Sequence, residues 1–356
     1  MAQETLNSAQ KAKHDEFYTQ LDDIAKELKY YKPYFKDKVV FCNCDDPYES
    51  NFFKYFALNF NTFQLKKLIA TCYNGSPVSG NELLLDFGTT VDDPKKIAYK
   101  VEISEVTDVN GDGAINLTDI QYLMQNDKNV ISILQGNGDF RSAESIELLK
   151  RSDIIVTNPP FSLFREYVAL LDKYDKKFII IGNTNALAYK EIFPMFQQNR
   201  IRTGYTNFNV GMYFSVPDTY EKFHHIENGK KMARVSTSCW YTNLPVKKHN
   251  DFLDLYKHYT PEEYPKYVNY DAIEVSTYTI IPNDYQGLMG VPLTFLDKFN
   301  PEQFELVGIS LVEGTDKPKN LPKSKQGGPA FYLLKNGEYQ RLYTRILIRN
   351  KKLNGR

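Results

Sequence analysis

The sequence predicts an α/β protein built on a parallel sheet covered on both faces, followed by a less regular C-terminal unit. Three observations carry this. Short, almost wholly apolar runs of strand length recur at 39–42, 68–72, 131–134, 154–157 and 178–181. Segments with helical spacing of apolar residues lie between them. After about residue 218 this rhythm stops, and Tyr, Pro and Lys become frequent among scattered short runs. Continuous apolar strands, as opposed to alternating ones, belong to sheets with both faces buried, and alternation with helices is how parallel strands are connected.

The elements follow in order. Residues 1–36 read as a polar lead and a helix, with Leu21, Ile24, Ala25 and Leu28 at helical spacing. The strand at 39–42 runs into the acidic turn Asp45-Asp46-Pro47, and a Phe- and Tyr-rich helix is expected from Ser50 to about Leu58. The strand at 68–72 is closed by Asn74-Gly75. An insertion then occupies about 76–130, with hairpin-like alternation at 83–87 and 98–103 and an acidic loop at 108–119. Strand 131–134, helix 143–150, strand 154–157, helix 163–171, strand 178–181 and helix 188–196 complete the regular part. This sets the expected domains at 1–217 and 218–356. Residues 314–328 are poor in apolar residues and read as a loop.

Composition narrows the class. Lys and Arg number 44 against 44 Asp and Glu, which argues against a wholly basic nucleic-acid coat but allows one basic face. From Lys317 to Arg356 the only acidic residue is Glu338, so the end of the chain is strongly basic. No stretch reaches the roughly 18–20 apolar residues of a membrane span. The N-terminus lacks the apolar centre of a signal peptide. Cys42, Cys44, Cys72 and Cys239 form no disulfide framework, so a reducing cytoplasm is expected. Cys42 and Cys44 lack further ligands at metal spacing and read as core thiols, His224-His225 as a surface pair, and Trp240 as a core anchor.

The segment with chemistry in it is Asn158-Pro159-Pro160-Phe161, entered directly from the apolar run ending at Thr157. Ligands of open α/β sheets bind at the carboxyl ends of strands, where this tetrapeptide would lie. Two prolines remove N–H donors and stiffen the turn, so its carbonyls face outward as acceptors. The Asn158 side chain adds another acceptor. Two acceptors near one point suit an exocyclic amine, binding its hydrogens and leaving its lone pair free. Phe161 offers a flat face for a ring. The arrangement suits transfer to the amine of a base extruded from its stack. The plainer alternative is a Pro-rich strand exit with Phe161 in the core.

This tetrapeptide resembles the catalytic motif of S-adenosylmethionine-dependent amino-methyltransferases. Together with Gly138-Asp139-Phe140-Arg141-Ser142, Phe41-Cys42-Asn43-Cys44-Asp45-Asp46-Pro47 and Met289-Gly290-Val291-Pro292-Leu293-Thr294-Phe295-Leu296-Asp297, it resembles the EcoRI-type adenine-specific DNA methyltransferase family from about residue 14 almost to the C-terminus. The resemblance implies a Rossmann-like S-adenosylmethionine-dependent methyltransferase fold with a C-terminal α+β target-recognition region. It implies S-adenosyl-L-methionine as donor and N6 of adenine in double-stranded DNA as acceptor. A restriction-modification role is implied, with a cognate endonuclease encoded nearby and no stable complex with it; an orphan or phage-borne enzyme fits equally. The rivals are an RNA or protein-glutamine methyltransferase and a non-catalytic DNA-binding module of the same fold.

By the same resemblance, Phe17 and Thr19 belong to the segment closing over the methionine part of the donor. Asp45, Asp46 and Pro47 occupy the first donor-binding loop, without its usual glycines. Asp139 and Phe140 correspond to the donor-adenine site. The second strand ends Thr71-Cys72-Tyr73-Asn74 with no carboxylate for the ribose. Phe208, Tyr213 and Phe214 are candidates for a second stacking face. Lys230, Lys231, Arg234, Lys247, Lys248 and the basic C-terminal stretch are candidates for phosphate contact.

One motif stands apart. In 108–119, Asp108, Asn110, Asp112, Asn116 and Asp119 fall at calcium-loop positions 1, 3, 5, 9 and 12, with Gly113 at position 6. The expectation is a structural Ca2+ site, with a metal-free Asx-rich loop as the alternative.

Overall fold

In the computed structural model the parallel strands of the regular part lie side by side, and their order places the tetrapeptide. The structure describes residues 18–44, 46–47, 50–73, 98–126, 131–216, 218, 220–323 and 326–352. The chain divides into two units, one of residues 1–184 and 204–244, the other of 185–203 and 245–356. This differs from an expected boundary at 217. Residues 218–244 belong to the first unit because their three strands pair within it, Lys230–Val235 with Met212–Val216 and His225–Glu227, and Ser238–Thr242 with Lys177–Asn183, and 185–203 belong to the second. Pairing between distant segments leaves no mark in local periodicity.

The first unit begins with β1 (Tyr18–Thr19) and helix α1 (Leu21–Leu28), in which Ile24, Glu27 and Leu28 share the buried face. Strand β2 (Val39–Cys42) follows, then α2 (Asn51–Leu58), capped by Ser50, whose hydroxyl accepts from the Phe53 N–H at 3.4 Å. Next come β3 (Lys67–Thr71), β4 (Tyr99–Ile103), α3 (Leu117–Asn126), β5 (Ile131–Ile133) and α4 (Ala143–Arg151). Then β6 (Ile154–Thr157), a 3₁₀ turn at Phe161–Leu163, α5 (Phe164–Lys173) and β7 (Lys177–Asn183) complete the central rhythm. After a short β8 (Arg202–Thr203) in the second unit, the first unit resumes with β9 (Met212–Val216), β10 (His225–Glu227), β11 (Lys230–Val235) and β12 (Ser238–Thr242).

Within the first unit the main sheet runs β5-β4-β3-β2-β6-β7-β12. The pairs β3–β2, β2–β6 and β6–β7 are parallel. β4 and β12 enter antiparallel, so the sheet is mixed where a parallel one was expected. The burial of β4 alternates strictly, as in an antiparallel strand with one face turned to the core. β6 is buried at every position, which requires cover on both faces. A second sheet runs β1-β9-β11-β10, with Asn228-Gly229, both at positive φ, forming the two-residue turn between β10 and β11.

The expected helix at 188–196 is instead a 3₁₀ segment at Thr184–Ala188 and a five-residue helix at Phe193–Gln197. Pro194 can only occupy a helix's first turn, so the helix begins there. The rest of the second unit is a sheet of four strands, Ile273–Glu274, Met289–Pro292, Arg345–Asn350 and Phe304–Ile309, and a hairpin of Tyr332–Lys335 with Glu338–Arg341. Its core includes Tyr267, Phe331, Leu333 and Leu347. A buried ion pair of Arg345 with Glu274, 2.8 Å, is completed by the Tyr267 hydroxyl at 2.6 Å.

Two contacts in the first unit generate predictions. A Cβ on Gly182 of β7 would lie 2.5 Å from the Phe164 ring and 2.9 Å from that of Tyr241, so glycine lets α5 press onto the sheet. Gly182→Ala is expected to cost about 1–3 kcal/mol in urea denaturation, the scale of overpacking; an unchanged midpoint would show that α5 can shift freely. On β4, burial alone would raise the Glu102 carboxyl, but hydrogen bonds from Lys100 and Lys67 at 2.8 and 3.0 Å hold it down at about 2. A carboxyl depressed in the folded state contributes stability above its unfolded pKa, which is lost as pH falls through the folded value. The window runs from about 4.3 down to about 2. Glu102→Gln is expected to lower stability at pH 7 and flatten its decline across that window; equal slopes for both proteins would contradict the assignment.

Candidate active site

The chain passes from β2 outward to β3 on one side, and β6 lies on the other side of β2, so the crevice outside their carboxyl ends is a topological switch point. β2 delivers Asn43, Asp46 and Pro47 there, and β6 delivers Asn158 to Phe161. The two strand ends are tied together. The Thr157 hydroxyl donates to the Asn43 carbonyl, and the Tyr167 hydroxyl on α5 donates to Asn43 Oδ1. Asn43 and Tyr167 are both buried. Burial pushes the Tyr167 phenol well up, which keeps it a neutral donor.

Asn158 and Pro159 are buried; Pro160 and Phe161 are half-buried. Pro160 is extended, with φ −55° and ψ 124°, before the 3₁₀ turn, whose Leu163 N–H donates to the Pro160 carbonyl at 3.0 Å. The rings of Phe161 and the fully buried Phe214 on β9 are set edge-to-face, centroids 6.5 Å apart at 85°. Of the stacking candidates, Phe214 is therefore at the motif. Tyr213 is exposed and packs on His224 and His225 at 5.4 Å, and Phe208 is half-buried.

The other candidates converge on the same edge of the sheet. Asp46 is buried and its Oδ1 accepts from the Tyr99 hydroxyl at 2.8 Å; Pro47 is buried beside it. Thr19 pairs with Phe214 across β1 and β9, and its carbonyl accepts from Asn51 Nδ2, at the head of α2, at 2.7 Å. Phe17 and Asp45 lie outside the described residues. Gly138 has φ +75°, and a Cβ there would lie 2.0 Å from the Cys72 carbonyl, so the loop after β5 closes onto the end of β3 only with glycine. That fit brings in Asp139 and Phe140. Phe140 is buried edge-on against Tyr167, at 5.0 Å. Asp139 accepts from the Arg141 N–H, Nε and Nη2 at 2.8–2.9 Å, and the guanidinium holds its carboxyl below the usual range. Arg141 also reaches Glu166 on α5 at 2.8 Å.

The polar inventory fits a nucleoside-bearing ligand. The buried hydroxyls of Thr19 and Thr71 have no hydrogen-bond partner among the described residues. Asp139 keeps acceptor capacity, since a carboxylate offers about four lone-pair sites. Two cavities lie along the sheet of β1, β9, β10 and β11. One of about 310 Å3 is lined by residues including Gln20, Asn51, Lys54 and Ser215, and one of about 520 Å3 by Asp23, Tyr213 and His225 among others.

The loop 108–119 is organised by its own amides. Asp108 accepts from the N–H groups of Gly111, Asp112 and Gly113 at 2.7–3.3 Å. Asp112 accepts from Ala114 N–H and from the Asn110 and Asn116 amides. Backbone N–H groups of Asn116 and Val109 hold the Asp119 carboxyl below its usual range. Among the described residues no group of three or more His, Cys, Asp or Glu could hold a metal ion. Cys42, Cys72 and Cys239 are buried thiols, Cys44 is half-buried, and Trp240 is fully buried. Of the basic candidates, Lys230, Arg234 and Lys247 are exposed, whereas Lys248 is half-buried and paired with Asp297. Among the described residues no helix is long and apolar enough to cross a membrane.

Sequence reasoning did not single out Asn43, Tyr167 or Glu27. Glu27 alone carried a local signal, a charge three residues after Ile24 on an apolar helical face.

Comparison with known proteins gives one consistent result. The family model described as adenine-specific methyltransferase EcoRI matches residues 5–351. The Type II methyltransferase M.EcoRI of Escherichia coli is 46% identical over 354 residues, 98% of this chain and 97% of that protein. M.MpnI of Mycoplasma pneumoniae is 37% identical, covering 97% and 98%, and M.MgeORF184P of Mycoplasma genitalium is 36% identical, covering 98% and 99%. No solved structure matches. A family match spanning both units, with a relative at this identity over nearly the whole length of both proteins, places the chain in the EcoRI family of adenine-specific methyltransferases.

Proposed function

We propose that the protein methylates N6 of an adenine extruded from duplex DNA, at the edge of the sheet where β2 and β6 end. The observation that carries the reading is the placement of Asn158 and Pro159, buried, beside the half-buried Phe161, which the buried Phe214 backs edge-to-face. Methyltransferase family membership implies S-adenosylmethionine, which supplies an electrophilic methyl group on its sulfonium. The first unit is read as a Rossmann-like fold, with the donor bound along the loops after β2, β3 and β5.

The chain's own residues do the rest by position. Asn158 Oδ1 and the Pro159 carbonyl accept the two amine hydrogens, leaving the nitrogen lone pair directed at the methyl. Positive charge grows on that nitrogen, and fixed acceptors stabilise it without reorganising. Phe161 is the aromatic face for the base, with the fully buried Phe214 set against it from behind, and a base reaches it only outside the stack. On the donor side, Thr19, Asp46 and Pro47 line the approach, and Asp139 with Phe140 takes the adenine of the donor. The second unit, with the basic stretch after Lys317, is read as the target-recognition region, its Lys and Arg following phosphates. Calcium at 108–119 would be structural and outside the transfer.

Label from methyl-labelled S-adenosylmethionine is expected in unmethylated duplex DNA and recovered as N6-methyladenine. Label in RNA or protein, with none in DNA, would contradict the reading. Asn158→Ala is expected to lower kcat by about 10²–10³-fold, the scale of losing one fixed partner of a developing charge. Donor affinity by calorimetry should hold; a fully active variant would refute the role.

A further inference from the structure

Helix α1 grips a segment far away in the chain. Glu27 has no exposed surface. Its Oε1 accepts from the Tyr31 hydroxyl at 2.9 Å and the Tyr205 N–H at 2.7 Å. Its Oε2 accepts from the Thr206 N–H and hydroxyl, both at 2.7 Å. One helical turn earlier, Asp23 accepts from Asn207 Nδ2 at 3.3 Å. A Cβ on Gly204 would lie 2.3 Å from Glu27 Oε1, so the segment can approach the carboxylate this closely only with glycine there.

The same stretch holds the far end of that segment. β1, joined to α1 through Gln20, pairs with β9, Tyr18 opposite Ser215 and Thr19 opposite Phe214. The segment 204–216 is thus clamped at one end by Glu27 and at the other by β1. The second grip itself carries residues of the proposed site. Phe214 meets Phe161, and the Thr19 carbonyl is fixed to Asn51 at the head of α2.

We propose that Glu27 is a positioning residue for methyl transfer, setting the base-facing wall through the 204–216 segment and the donor-facing wall through β1. It touches neither substrate. The proposal rests on the reading of the preceding subsection. Four donors converge on the two oxygens, and a carboxamide presents one oxygen and an NH2 group to them. The grip therefore loosens in Glu27→Gln without loss of volume. Thr206→Val removes one hydroxyl donor, and Thr206→Ser restores it.

The test is steady-state transfer of label to unmethylated DNA by the full chain, at a temperature where each variant is folded by circular dichroism. Glu27→Gln and Thr206→Val are expected to raise the donor KM and lower kcat together, with kcat/KM falling roughly ten- to hundredfold, as for a modest misplacement of reacting groups. Thr206→Ser should recover most of it. A purely structural residue would lower the active fraction, and so the apparent kcat, leaving donor KM alone; that outcome overturns the proposal, as would wild-type constants in both variants. If Glu27→Gln does not fold, the Thr206 pair decides the matter by the same criterion. Wild-type protein that labels no DNA overturns the underlying reading, and this one with it, before any variant is made.

Discussion

The site depends on one buried residue, Asn43, acting through its backbone carbonyl and its side chain. Its carbonyl takes the Thr157 hydroxyl and its amide oxygen takes the Tyr167 hydroxyl, so the ends of β2 and β6 and the start of α5 are fixed by one residue. Parallel neighbours share a ladder along their length, but nothing in the ladder dictates how the chains leave it. Asn43 supplies that constraint at the edge where ligands of such sheets bind. Tyr167 extends it, because its ring packs on Phe140 and so reaches the loop after β5. A buried polar pair of this kind stays in place because parting it would strand two desolvated groups.

From that point the geometry spreads outward through fits as much as through bonds. Gly138 closes over the Cys72 carbonyl, Gly182 admits Phe164 against β7, and Gly204 admits the Glu27 carboxylate. Each is a place where one added methyl group would push apart two elements that now touch. The N-terminal stretch adds the last wall, carrying Thr19 opposite Phe214.

Much of this was legible in the sequence where the signal is contiguous. β2 and β6 are apolar runs and the helices after Ser50 and Ser142 follow apolar spacing; sequence reasoning did not single out the Asn-Gly turns at 228–229 and 336–337, which lie in a stretch that reads as irregular. Asn158 to Phe161 stand in a row, so their placement followed from the strand before them. What else escaped is non-local. Asn43 and Tyr167 are 124 positions apart, and neither has a local pattern that marks a polar bridge. The assignment of 218–244 to the first unit follows from β11 pairing with β9 and β12 with β7. The alternation at 98–103 was legible, but that β4 joins the main sheet beside β3 was not. The short helix at Phe193–Gln197 was misjudged in length because apolar spacing outweighed Pro194.

The balance of 44 basic and 44 acidic residues conceals unlike regions, an acidic loop at 108–119 and a basic stretch after Lys317. A neutral chain with one basic region is what a protein needs if it binds a polyanion on one side only. The central claim is that the edge holding Asn43 and Asn158 methylates adenine in DNA. Single-molecule sequencing of DNA from a host lacking adenine methylation, with and without the gene, tests it most directly. The account predicts N6-methyladenine at nearly every copy of one short sequence when the gene is expressed and at none without it. Unmodified adenine throughout, in cells that make folded protein, would contradict it.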